Sequence, residues 1–146
     1  MPNYALRAFP GAAMINSMDS RFAFRISSII GLLAIALGAF GAHGLEKTLV
    51  ANETVDIWDT AVSYHLPHAI LLAILALSRP FPKAIWISMT LGVLIFSGTL
   101  YVLALTNIKW LGAITPIGGT LMMVAWGMLA FSGWVKKAIP SEGKEA

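Results

Sequence analysis

The sequence predicts an all-α integral membrane protein, a bundle of four transmembrane helices. Three observations carry this. Of 146 residues, 58% are hydrophobic and only 12% charged, where a soluble domain carries about a quarter charged residues. The apolar residues fall into four stretches of about twenty, the length that crosses the hydrocarbon core as a helix. The connections "SRPFPK" and "NIKW" are short and carry breakers, which makes sequential helices antiparallel neighbours. Backbone in lipid must satisfy its own hydrogen bonds, so the spans are helical. The chain has no cysteine, which excludes disulfides, zinc–thiolate sites and thiol catalysis. The net charge of +3 lies in small clusters, without the basic, aromatic-interleaved run of a nucleic-acid binder. The expected surroundings are therefore the lipid bilayer.

The four spans are expected at about 22–42, 60–78, 84–106 and 111–135, within one membrane domain over 18–139. Residues 1–17, "MPNYALRAFPGAAMINS", contain two prolines and no long apolar run. They read as a disordered tail or a mis-assigned start, with Met14 or Met18 as the true one. The stretch is too weakly hydrophobic for a secretory signal. Residues 140–146, "PSEGKEA", read as a disordered tail.

Lysine and arginine placement gives the orientation. Arg7, Arg21, Arg25, Arg79, Lys83, Lys136, Lys137 and Lys144 fall on one side of a four-span chain. Only Lys47 and Lys109 fall on the other, together with Glu46, Glu53, Asp56 and Asp59. Both termini are expected in the cytoplasm. Trp58, Trp110 and Trp134 stand at the expected boundaries and read as interfacial anchors.

The chemistry-bearing residues gather toward the far side. His43 ends the first span in "LGAFGAHGLEKT", and "AVSYHLPHAI" opens the second. Tyr64, His65 and His68 are spaced to share one helix face. Thr90, Ser97 and Tyr101 form a polar stripe on the third span. Pro67 frees the Ser63 carbonyl from its helical partner. The expectation is an outer-leaflet cluster of His43, Tyr64, His65, His68 and Tyr101, with His43 clasping the first two helices. Two readings of the cluster stand side by side. The histidines, with Glu46 or Asp59, suffice in number for a metal site; equally, they serve as helix-end caps and interhelical hydrogen bonds. Met122, Met123 and Met128 are soft ligands or, more simply, apolar packing. Intramembrane ionisable groups are functional-site hypotheses by default. Ala34, Gly38 and Ala42 on the first span, and Ser88 and Gly92 on the third, have the small-xxx-small spacing that lets helices approach closely.

The segments "ALGAFGAHGL", "WDTAVSYHLPHA", "FSGTLYVLALT" and "LGAITPIGGTL" resemble the YgdD-like family of small four-helix membrane proteins, domain of unknown function 423. The resemblance covers the chain from about Met18 to Val135, with the first and last segments the most specific. It implies a four-span bacterial inner-membrane protein without an established activity, and a start near Met18. It supplies no catalytic residues.

No nucleophile–base–orienter set is visible in the sequence. The leading expectation is a non-enzymatic structural or partner-binding accessory, acting through a membrane-protein partner or as a homo-oligomer. The alternative is a binder or carrier of a metal, haem or small ligand through the His/Tyr cluster. The sequence names no cofactor.

Overall fold

The computed structural model describes residues 10–131 and 133, with side chains from residue 19 onward. The elements are α1 (Pro10–Ala42), α2 (Glu46–Ala51), α3 (Val55–Leu77), α4 (Lys83–Thr106), a 3-10 turn (Lys109–Ala113) and α5 (Thr115–Phe131). The described residues contain no strand. Four segments are long and apolar enough to span a bilayer: Asp19–Ala42, Val55–Leu77, Lys83–Thr106 and Lys109–Phe131. The all-α, four-span architecture expected from the sequence is the architecture observed.

Several boundaries differ from expectation. α1 begins at Pro10, so the stretch 1–17, expected to be disordered or mis-assigned, is helical from Pro10 on; residues 1–9 lie outside the described residues. The second span begins at Val55 rather than 60. Asp56 and Asp59 interrupt the apolar run there and hide the helix start from a hydropathy reading. The loop expected after His43 folds partly as α2, which buries Leu49 against the bundle. Trp134 and the tail 140–146 lie outside the described residues.

The helices pack in chain order: α1 on α3, α3 on α4, α4 on α5. α1 and α5 share no extended interface, so the bundle is an open array rather than a closed ring. Its core joins Leu72 and Leu75 of α3, Met89 and Val93 of α4, and Met122 and Ala125 of α5, with Ala23 and Ile30 from α1. Large apolar side chains such as Leu32, Ile35, Ile70 and Met123 face outward, as a lipid-facing surface requires.

Two polar devices close the end of the bundle that carries α2. Asn52 Nδ2 donates to the Ala104 and Leu105 carbonyls at 3.0 Å each. The Thr54 hydroxyl donates to the Ala104 carbonyl at 2.8 Å. A helix C-terminus leaves carbonyls without intrahelical donors, and these two side chains supply them for α4. Asn107 ends α4 in the left-handed region, φ 56°, which asparagine tolerates better than most residues.

Small residues set the closest approaches. Gly92 and Gly118 put the α4 and α5 backbones in direct contact: a Cβ on Gly92 would stand 3.0 Å from the Gly118 carbonyl oxygen, and one on Gly118 would meet the Phe96 backbone. Ser88 supports the same seam by donating to the Leu121 carbonyl at 3.0 Å. On α1, Ala34 is buried and Gly38 faces Val62, but Ala42 is exposed. The tightest α1 contact lies instead at Gly41, where a Cβ would run into the Trp58 indole.

Candidate functional site: a lateral groove and a buried His–Tyr pair

The early start of α3 moves the expected cluster. His65 stands ten residues beyond Val55 (65 − 55) in a 23-residue helix, about 15 Å along its axis at 1.5 Å per residue. His65 and His68 therefore stand near the middle of the helix rather than at its start. The five residues also divide into three places.

His65 is buried, and its Nδ1 lies 3.2 Å from the Tyr101 hydroxyl on α4. Tyr101 in turn packs edge-on against Trp58, ring centroids 4.7 Å apart. Trp58 is not the interfacial anchor expected: it is 1% exposed, and its indole N–H donates to the Leu37 carbonyl of α1 at 3.2 Å. The Ser97 hydroxyl adds a bond to the Ala61 carbonyl at 3.0 Å. Trp58, Ala61 and His65 thus form one face of α3, tied to α1 and α4 by polar bonds. His65 Nε2 makes no hydrogen bond of ordinary geometry among the described residues, although the Ile30 backbone of α1 interacts with the ring.

Tyr64 and His68 lie one turn apart on a neighbouring face. Three residues on a helix rotate a side chain by about 60° away from its start, enough for His65 and His68 to meet different helices. His68 Nδ1 bonds the Tyr64 carbonyl at 2.7 Å, and Trp126 Nε1 on α5 donates to His68 Nε2 at 3.3 Å. A carbonyl can only accept and an indole N–H can only donate. Both bonds therefore require the same tautomer, with the proton on Nδ1. The Tyr64 ring lies parallel to His68, within 2°, and against Phe96 of α4 at 4.6 Å.

These residues line a groove of about 470 Å³ between α3 and α5, floored by α4. Pro116, Gly119, Thr120, Met122 and Met123 complete it. The lining includes no Asp, Glu, Lys or Arg. The Thr120 hydroxyl is committed to the Pro116 carbonyl at 2.8 Å, whereas the Tyr64 hydroxyl has no hydrogen bond among the described residues. Sequence reasoning found Tyr64 and His68 but not the α5 wall. Gly119, Met123 and Trp126, at spacings of four and three, share one helix face; that signal was present in "GGTLMMVAW".

His43 is in neither place. It lies exposed beyond the end of α1 and makes no hydrogen bond, ion pair or ring contact among the described residues. The expected His43 clasp is replaced by the Trp58–Leu37 bond, which joins α1 to α3 nearby. The three histidines do not converge. The described residues contain no group of three His, Cys, Asp or Glu arranged to hold a metal ion. Met122 packs against Gly92 in the α4–α5 seam, while Met123 is exposed.

A helical array of four spans with polar bonds between its helices and a lateral groove defines a small multi-pass membrane protein. The chain belongs to the family described as "Protein of unknown function (DUF423)", whose model matches residues 37–119. It is 40% identical to the UPF0382 membrane protein YwdK of Bacillus subtilis, over 71% of this chain and 89% of that one. It is 44% identical to a UPF0382 membrane protein of Staphylococcus saprophyticus, over 71% and 89%. With the UPF0382 inner membrane protein YgdD of Escherichia coli K12 it shares 36% identity over 77% and 88%. No solved structure matches significantly. The chain is thus a multi-pass bacterial inner-membrane protein of a family without an assigned biochemical function, and none of these relatives carries an enzymatic name.

Proposed function

We propose that this protein is a non-enzymatic membrane accessory that binds an uncharged, lipid-soluble molecule in the groove between α3 and α5. The observation that carries this reading is the groove itself. It is concave, mostly apolar, about 470 Å³ in volume, and within the range typical of small-molecule sites. Its depth favours a ligand that reaches it sideways through the hydrocarbon. Its uncharged lining disfavours an ion. The free Tyr64 hydroxyl offers a donor to a carbonyl or ether oxygen, and leaving such a group unpaired in lipid is unfavourable. His68 is less available, because both its ring nitrogens are engaged. That, with the dispersed histidines, weighs against the metal and haem alternatives.

The test is extraction of small molecules from protein purified in mild detergent, read by mass spectrometry against the bulk membrane extract. Gly119→Phe fills the groove without touching the α4–α5 glycine contact. One neutral molecule should be enriched with the natural chain and lost with Gly119→Phe at unchanged thermal stability. Equal extracts from both proteins would end the reading.

The sequence also supports a partner-binding role, and one observation favours it as a second reading. The open array leaves Gly98 and Gly127 with nothing within 4 Å of an added Cβ, which gives room for another helix. For orientation, Arg21, Arg25, Arg79 and Lys83 gather at one end of the array against Lys47 and Lys109 at the other. The positive-inside rule then supports cytoplasmic termini.

A further inference from the structure

A second pocket lies far from the groove, at the end of the bundle where α3 stops. It occupies the seam between α1 and α3, holds about 220 Å³, and is lined by Arg21, Arg25, Arg79, Phe24 and Leu77, with Ser20 and Ala76 behind them. Arg21 and Arg25 are one turn apart on α1, so their side chains rise from the same face. Arg79 reaches in from the α3–α4 connection.

The charge here is not neutralised among the described residues. Arg21 and Arg25 make no ion pair or hydrogen bond among the described residues. Asp19 is the described carboxylate of this end, and it is taken by Lys83 of α4 at 3.0 Å, over a separate pocket. Arg79 Nη1 donates to the Ser78 carbonyl at 3.0 Å and more weakly to the Ala76 carbonyl at 3.4 Å. That bond pattern matters for an anion. The free carbonyls of a helix C-terminus repel negative charge, and Arg79 covers two of them while its Nε and Nη2 stay uncommitted. Three arginines thus line one small pocket whose lining includes no described carboxylate.

We infer that this pocket binds the phosphate of an anionic phospholipid. The guanidinium fork matches a phosphate geometrically and forms charge-assisted, bidentate hydrogen bonds to it. A lipid is favoured over a soluble phosphate by height and by the walls. α3 ends at Leu77, and the charged residues Asp19, Arg21, Arg79 and Lys83 gather at this end of the spans, so the pocket sits at headgroup level. Phe24 and Leu77, both exposed, flank the arginines and continue into the lipid-facing surface, where an acyl chain would lie. Basic residues at a helix end serve orientation wherever they stand on the helix; a pocket with apolar walls is a more specific object. The inference does not depend on the groove ligand.

The experiment is native mass spectrometry of the full chain released from nanodiscs of equal phosphatidylglycerol and phosphatidylcholine, with lysine replacing arginine. Arg21→Lys/Arg25→Lys/Arg79→Lys keeps every charge, and so the orientation signal, but removes the forks. The natural chain should retain phosphatidylglycerol over phosphatidylcholine, and the triple variant should lose roughly tenfold of that preference, one order of magnitude for about 1.4 kcal/mol. Arg25→Lys alone leaves the Arg79 cap untouched and should lose part of it, which covers the case of a triple variant that fails to fold. Equal retention of the two lipids, or an undiminished preference in both variants, would overturn the inference. So would displacement of the lipid by millimolar inorganic phosphate, which would make this a soluble-anion site.

Discussion

Trp58 lies across Gly41: the indole occupies the space a Cβ at Gly41 would need, and its N–H reaches the Leu37 carbonyl of the same helix at 3.2 Å. The missing side chain thus permits the hydrogen bond that ties α3 to α1. Gly41→Ala should force the fully buried indole to move and weaken that bond. Overpacking of this kind typically costs about 1–3 kcal/mol. Gly38→Ala should cost much less, because its nearest neighbour, Val62, would stand at an ordinary 3.4 Å. Thermal melting of the two variants in one detergent decides the matter, and a larger loss at Gly38 would contradict the packing described.

The α4–α5 seam rests on backbone contact between Gly92 and Gly118. Gly118→Ala places a methyl group against backbone atoms of Phe96 and Gly92, which cannot rotate away as a side chain would. It should be among the most damaging single-methyl additions in the chain. Gly127→Ala, with open space around it, should be neutral and raise intrinsic helix propensity. Comparable melting temperatures for the two variants would show that the helices do not meet at Gly118.

Much of this arrangement was legible before any coordinates. Each span announces itself by its own length and hydropathy, properties of one segment at a time. The stripe of Thr90, Ser97 and Tyr101 was readable as one face, and all three are buried. What the sequence withheld depends on two segments at once. Hydropathy treats Asp56 and Asp59 as an end to the span, although both are exposed on a helix that has already begun. That shift of five residues sets His65 and His68 near the start of the helix in the sequence reading, when they stand near its middle. Trp58 read as an anchor because tryptophan favours interfaces, yet glycine on the opposing helix draws it inward. Small residues at 34, 38 and 42 mark a face capable of close approach, but only the partner's side chain shows that Gly41 is where the approach happens.

His65 and Tyr101 offer a direct measure of polar bonding within the spans. One imidazole nitrogen already lacks a hydrogen bond of ordinary geometry, and Tyr101→Phe would remove the bond of the other. A buried polar group stripped of its partner costs about 1–3 kcal/mol. In a His65→Leu background the same Tyr101→Phe change should cost less, since no nitrogen is left waiting. A double-mutant cycle by reversible unfolding in mixed micelles should give a coupling of about 1 kcal/mol. Additive effects would mean the 3.2 Å contact is not a working hydrogen bond.

His68 should report its tautomer. The bonds to the Tyr64 carbonyl and from Trp126 together place the proton on Nδ1. In the nitrogen NMR spectrum of histidine-labelled protein at neutral pH, His68 should show a protonated Nδ1 and a bare Nε2. Trp126→Phe should shift the Nε2 resonance and leave Nδ1 nearly in place. A signal with the proton on Nε2 would rule out the Trp126 bond and with it the α5 wall of the groove.

Orientation can be read chemically, because the chain carries no cysteine and any introduced thiol is unique. Lys47 and Lys109 are exposed at the end of the array that carries α2, with Glu46, Glu53, Asp56 and Asp59 around them. Arg21, Arg25, Arg79 and Lys83 stand at the other end. Moving a cluster of four basic residues across the membrane is the less favourable choice during insertion. Lys47→Cys and Lys109→Cys should therefore react with a membrane-impermeant maleimide in intact cells. Ser141→Cys should react only after the inner membrane is permeabilised. Each of the first two variants removes one lysine from the far side and so strengthens, rather than blurs, the charge asymmetry it tests. Labelling of Ser141→Cys in intact cells, with Lys47→Cys protected, would invert the orientation and place the arginine pocket on the outer surface.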